Sequence, residues 1–332
     1  MYGVQPGAGR AGGRILQRGS ASSRSRSRTR VRPSTISSIL NGMTGIALRL
    51  PSPLVEIHDE RVASRGVRLY LKRDDLIHAE LPGNKWRKLK YNIGAARDQG
   101  ISTLLTFGGA YSNHVKATAA AGHYFDFSTI GVIRGEEHVP LNSSLTYATS
   151  HGMQLTYMDR STYRRQTDPA VISDLRSRFG DFYLIPEGGS NTLAVEGCRE
   201  LVDEIDVDFD TICCPCGTGG TLAGISTGLH RGQRTLGFSA LKGGEFLTDK
   251  VAELQRQSLG TVLDNWSIET EFHFGGFARH TPQLDKFITL FTQLHGLTLD
   301  RVYVAKMMYG IFSLVERGAF TPDTAIVAVI TG

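Results

Sequence analysis

Seven short runs of β-branched and aliphatic residues, interleaved with longer stretches of helical spacing, constrain this chain more than any other feature. The runs are RLYLKR (68–73), TLLTF (103–107), STIGVI (128–133), FYLIP (182–186), DTICC (210–214), TLGFSA (235–240) and AIVAVI (325–330). Helical spacing occupies roughly 85–99, 113–124, 140–151, 192–204, 219–231, 245–257, 281–295 and 305–317. Such alternation makes βαβ units, so the expected class is α/β, with mostly parallel, twisted, open sheets covered by helices. Two sheets are expected, because one sheet of this many strands would be unusually wide. In parallel sheets ligands gather where strands run into helices, which directs attention to the strand-to-helix turns.

Composition narrows the function. The chain has 332 residues, 40% of them hydrophobic, enough for a full core. Residues 1–55 carry nine of the 37 basic residues and none of the 32 acids, which leaves the remainder at a net −4. An acidic-leaning body offers no basic face for nucleic acid, and the tail lacks the aromatics of a stacking platform. No apolar stretch approaches the ~20 residues that span a bilayer. The expectation is therefore no nucleic-acid and no membrane partner, and a cytoplasmic protein. Cys198, Cys213, Cys214 and Cys216 read as buried thiols of a reducing compartment. A metal site is not expected, since C-C-x-C has no matching second pair.

The Arg/Ser/Gly-rich tail, residues 1–45, is expected to be disordered. Three readings are open for it: an organelle transit peptide, a nucleic-acid-binding arm, or sequence translated upstream of a start at Met43. The last is preferred, because folded-looking sequence begins just after Met43.

Three turns and one lysine run carry the chemistry. ELPGNKWRKLKYN (80–92) sets Lys85, Lys88 and Lys90 behind a Pro-Gly turn, either as solvated charge or with one reactive amine among them. After TLLTF, GGAYSNH places Gly108, Gly109, Ser112 and Asn113 at a helix start, an ordinary N-cap or a carboxylate cradle. After TICC, PCGTGGTLAGIS (215–226) is either a tight turn or a phosphate cradle needing no P-loop lysine. IPEGGSN puts Ser190 and Asn191 at another helix start. A lysine with phosphate- and carboxylate-binding loops suggests pyridoxal 5'-phosphate, whose aldehyde bonds to a lysine, and a small amino-acid substrate.

KRDDLIHAELPGNKWRKLKYN, TFGGAYSNHVKATAAAG, IPEGGSN, CGTGGTLAGI and LDRVYVAKMMYGI, in this order, resemble the D-cysteine desulfhydrase and 1-aminocyclopropane-1-carboxylate deaminase family. The likeness runs from about Pro51 to the last residue. It implies the tryptophan-synthase-β-like fold (fold type II), a homodimer, a large cofactor-binding domain of residues 46–90 and 187–332, and a small domain of residues 91–186. The family's cofactor-bonding lysine falls on Lys85, leaving Lys88 and Lys90 as expected surface charges, and its catalytic serine falls on Ser112. Asn113 and His114 fall beside substrate and cofactor, and the substrate-facing tyrosine on Tyr303. Cofactor contacts are implied for Asn84, Asn113, Cys216, Gly217, Thr218, Gly219, Gly220 and Thr221.

Two departures bear on substrate. Val304 stands where the deaminases have a glutamate for the pyridine nitrogen and the desulfhydrases a threonine, so Thr331 is the expected ring partner. Phe277, in GGFARH, replaces a second active-site tyrosine and has no hydroxyl to open a cyclopropane ring. The chain also ends at Gly332, where relatives continue, which suggests truncation. The expected reaction is α,β-elimination, with D-cysteine the first candidate, giving pyruvate, ammonia and sulfide. Lys85 or Ser112 would take the α-proton. The alternatives are an aminocyclopropane-carboxylate or other amino-acid deaminase, a racemase, or a non-enzymatic phosphate-ligand-binding protein.

Overall fold

The alternation of apolar runs and helical spacing resolves into two sheets. The computed structural model describes residues 46–331; the tail, Met43 and Gly332 lie outside the described residues. A six-stranded sheet has the order β1-β2-β10-β7-β8-β9, with β1 Leu54–Ile57, β2 Arg68–Lys72, β7 Thr211–Cys216, β8 Arg234–Ser239, β9 Trp266–Glu269 and β10 Ala325–Val329. Only β1 runs antiparallel to its neighbour. A four-stranded sheet, all parallel, has the order β5-β4-β3-β6, with β3 Thr103–Gly108, β4 Ser128–Arg134, β5 Gln154–Met158 and β6 Tyr183–Ile185.

Burial on both faces explains the near-continuous apolar strands. On β10, Ile326 and Ala328 join one core while Ala325, Val327 and Val329 join the other. The first core is closed by helices α10 (Pro282–His295) and α11 (Val304–Glu316), through Phe287, Phe291, Met307 and Ile311. The second is closed by α7 (Thr192–Asp203), α8 (Gly220–Gly228) and α9 (Leu247–Leu259). In the small sheet Leu105, Phe107 and Val132 pack with Leu175 of α6 (Pro169–Phe179), and Ile133 packs with Val115 of α3 (Asn113–Phe125) and Leu145 of α4 (Ser143–Ser150). The one-turn helices α1 (Glu60–Ala63) and α5 (Arg160–Tyr163) and the long α2 (Asn84–Asp98) complete the set.

Three strands lack a sequence counterpart: β1, β5 and β9. Each is a sheet edge with a mixed burial pattern, so none reads as an apolar run. The missed α6 had a start signal, Asp168 followed by Pro169 at the first helical position.

A buried charge network fixes α2. Arg87, 1% exposed, grips Asp74 through Nε and Nη2, both at 2.7 Å, and Glu204 of the α7 terminus through Nη1 and Nη2, both at 2.8 Å. Lys72 at the end of β2 reaches Glu204 at 3.0 Å, and the Ser52 hydroxyl donates to Asp74 at 2.6 Å. Burial alone would raise the Glu204 pKa, but hydrogen bonds and charge from Arg87 and Lys72 hold it at about 2. Arg87→Met strands Asp74 without its cation, and denaturant unfolding is expected to show a loss of about 3–5 kcal/mol. The contribution of Glu204 is complete above its ordinary value of 4.5 and is lost as pH falls toward 2, so wild-type stability drops across that window more steeply than that of Glu204→Gln.

Candidate active site

The turn before α2 puts Lys85 where strand ends converge. Gly83 has φ +52°, and a β-carbon there would stand 2.3 Å from the Thr331 carbonyl oxygen, so only glycine lets the chain pass the end of β10. Lys85 follows in the first turn of α2. Burial, reinforced by the charge of Lys88 and opposed by Asp300, pushes its amine down to about 7. Among the described residues no hydrogen bond or ion pair engages that amine.

The other two lysines are not surface charges, contrary to expectation. Lys90 is buried and paired with Glu200, which also accepts from the Tyr91 hydroxyl. Lys88, 2% exposed and one helical turn beyond Lys85, donates to the Gly188 carbonyl at 3.0 Å, Ser190 Oγ at 3.1 Å and Thr218 Oγ1 at 3.4 Å. All three acceptors are neutral, which leaves a buried cation without a carboxylate partner beside the 217–221 loop.

That loop leads from β7 into α8, with Gly219 at φ +80°. The Thr218 hydroxyl lies 2.7 Å from Ser190 Oγ, and Asn84 Nδ2 donates to Thr221 Oγ1 at 3.1 Å, tying the loop to the start of α2. β-Carbons at Gly188 and Gly220 would fall 2.6 Å from Thr218 and 2.5 Å from Ser190, and one at Gly217 would fall 3.1 Å from the Tyr303 ring. Burial raises the Cys216 thiol to about 11, against the opposing charge of Lys88 and a hydrogen bond from the Gly219 N–H, so it stays protonated at neutral pH. An unpaired buried ammonium, a helix N-terminus and closely approached glycines fit a phosphate.

On the facing side, Ser112 caps α3 by accepting from the Val115 N–H at 3.3 Å. Asn113 is exposed. His114 is buried: its Nε2 lies 2.8 Å from Thr106 Oγ1, whose own hydrogen goes to the Ile185 carbonyl at 2.9 Å. Nε2 is therefore the protonated nitrogen, and Nδ1 keeps a lone pair without a partner, close against Gly189. Burial and the charges of Lys85 and Lys88 hold the His114 pKa well below its usual range, so the ring is neutral.

Tyr303 stands at the N-terminus of α11, where Asp300 accepts the backbone N–H groups of residues 302–304. Burial, with the charge of Asp300 and lesser contributions including Glu187, raises its phenol well above the ordinary value. Phe277 is 42% exposed, and its ring meets Tyr303 edge-on at 5.9 Å. The buried Lys306 holds that segment by donating to the Gly276 carbonyl at 2.7 Å. Val304 turns into the core, while Thr331 is buried with its carbonyl against Gly83. Lys88, Lys306 and Thr106 are the residues that sequence reasoning missed here. Only Lys88 had a signal, its spacing of three from Lys85.

The pyridoxal-phosphate dependent enzyme family model matches residues 47–332, and the chain belongs to that family. Among its relatives, the mitochondrial bifunctional D-cysteine desulfhydrase/1-aminocyclopropane-1-carboxylate deaminase of Arabidopsis thaliana is 30% identical over 274 residues, 76% of this chain and 68% of that one. A D-cysteine desulfhydrase of Yersinia pestis is 28% identical over 286 residues, 80% of this chain and 87% of that one. A crystal structure of an ACC deaminase homologue superposes with a TM-score of 0.76 at 28% identity, covering 90% of this chain and 94% of that one. The fold is thus fold type II and the protein a pyridoxal-phosphate dependent enzyme, which sets aside the non-enzymatic alternative. Among the described residues no helix is long and apolar enough to cross a membrane.

Lys88→Met removes the charge from the glycine loop and leaves Lys85 in place. Titrating the visible absorption of the bound cofactor is expected to show affinity falling roughly 10- to 100-fold, the worth of a charge-assisted contact.

Proposed function

We propose that the enzyme is a lyase that eliminates the β-substituent of a small amino acid, with D-cysteine as the first substrate. The observation that carries this is the Phe277–Tyr303 pair, which offers one hydroxyl where ring opening of an aminocyclopropane would use two. Val304, buried in the core, adds no acid for the pyridine nitrogen. Thr331 is the proposed ring contact.

When bound, pyridoxal phosphate supplies an electron sink for the α-carbon. Lys85 holds it, Lys88, Asn84, Cys216 and residues 217–221 hold its phosphate end, and the Ser112–His114 turn receives the substrate carboxylate. Lys85 is the better proton acceptor: its amine, at about 7, is unengaged, whereas Ser112 Oγ caps α3. Neutral His114 can accept a hydrogen bond through Nδ1 but has no second proton to donate. The balance is cysteine plus water to pyruvate, ammonia and hydrogen sulfide. The same reading assigns the four-stranded sheet to a small domain, 91–186, and the six-stranded sheet to a large one, 46–90 with 187–332. It includes a homodimer in the cytoplasm, or in an organelle if residues 1–45 direct it there.

The deaminase reading is kept because of the relatives' names, and a substrate panel separates the two. Elimination predicts pyruvate and sulfide from one cysteine enantiomer and no four-carbon 2-oxo acid from 1-aminocyclopropane-1-carboxylate; the reverse pattern would sink it. With Lys85 as base, kcat for the active substrate should rise with pH through about 7, and a flat profile from pH 6 to 8 would reject that role.

A further inference from the structure

The strand order β5-β4-β3-β6 sets four carboxyl ends side by side around the Ser112 turn. Arg134 closes β4, on one side of that turn. Its guanidinium comes within 3.6 Å of where Gly109 would carry a β-carbon, and lies 5.7 Å over the Tyr163 ring. Glu187 follows β6 on the other side, immediately before the glycines that touch Thr218 and His114. Neither makes an ion pair among the described residues; Glu187 Oε2 accepts from Gln166 Nε2 at 3.1 Å, and the carboxylate also faces the Tyr163 hydroxyl.

Beside these unlike charges stand two further polar side chains, Tyr163 and Gln166. Tyr163 is 2% exposed and its hydroxyl faces the Glu187 carboxylate without a close hydrogen bond; the Gln166 Oε1 is buried without a partner. The Gln166 amide is fixed in this orientation, because a flip would turn its oxygen on the Glu187 carboxylate. Burial, with the charge and weak hydrogen bond of Glu187, raises the Tyr163 phenol, and the same charge contributes at Tyr303. The thiol of cysteine would use none of these four groups, and buried polar groups without partners are costly.

We infer that Arg134, Tyr163, Gln166 and Glu187 form a subsite for a departing group that is itself an amino acid, so that the preferred substrate class is a thioether of cysteine bearing an amino-carboxylate chain. This rests on the elimination reading and names the substrate class of that same site. Arg134 suits the distal carboxylate; Glu187, with the Tyr163 oxygen and Gln166 Oε1, suits the distal ammonium. The α-proton passes to the enzyme, and the Cβ–S bond breaks with its electron pair going to sulfur. The sulfur takes a proton and leaves as the amino-acid thiol. Water then releases ammonia from the three-carbon remainder as pyruvate, with no oxidant required.

The test compares cofactor-loaded wild type with Arg134→Ala and Glu187→Gln on lanthionine, S-methylcysteine and cysteine in each configuration, following pyruvate. Wild type should favour lanthionine over S-methylcysteine in kcat/KM by about 10-fold or more, and each variant should reduce that ratio by about 10-fold, the scale of one charged hydrogen bond. Equal handling of the two thioethers by wild type, or an unchanged ratio in both variants, overturns the subsite. No pyruvate from any of the three, with the cofactor band present, overturns the elimination reading and the subsite with it.

Discussion

The buried grip of Arg87 on Asp74 and Glu204 is the interaction on which the rest of the site depends. It joins the end of β2, the start of α2 and the end of α7, largely away from water, where a planar fork can satisfy two carboxylates at once. Two residues before Arg87 is Lys85, and one residue after it is Lys88. Locking the helix at Arg87 therefore sets the rotation and depth of both amines. Lys72 and Ser52 complete the balance, so two cations and two carboxylates, all but Glu204 fully buried, cancel and remaining acceptors are used.

Three lysines on one helix then acquire three different chemistries from their surroundings. Lys90 has a carboxylate partner and is a structural cation. Lys88 has only neutral oxygens, so its charge remains available to an anion at the glycine loop. Lys85 has neither, and burial with Lys88 nearby brings its amine to about 7, where it can exist as a nucleophile or base at neutral pH. Burial, with the same two charges, keeps His114 neutral. Burial, reinforced by repulsion between Lys85 and Lys88 and only partly offset by Asp300, is what distinguishes the centre from the paired network below it.

Much of this was legible in residue patterns, for physical reasons. Central strands such as AIVAVI are buried on both faces and announce themselves; so do glycines at strand-to-helix turns, which the backbone cannot replace. The edge strands β1, β5 and β9 did not, because half their surface is polar and only the pairing partner makes them strands. Burial of Lys88 and Lys90 was hidden for a similar reason: their acceptors come from residues about 100 positions away. Arg134 and Glu187 also acquire meaning only from sheet order, which sets the ends of β4 and β6 on either side of the turn after β3. The family resemblance located Ser112, Tyr303 and Phe277, and the packing gave them their neighbours.

Environment, not sequence position, singles out Lys85 from its two neighbours as the reactive amine. The direct test is to load the enzyme with pyridoxal phosphate, reduce it with borohydride, digest it and map the attached pyridoxyl group by mass spectrometry. Label is expected on Lys85 alone. Label on Lys88, or label spread over the three lysines, would contradict it.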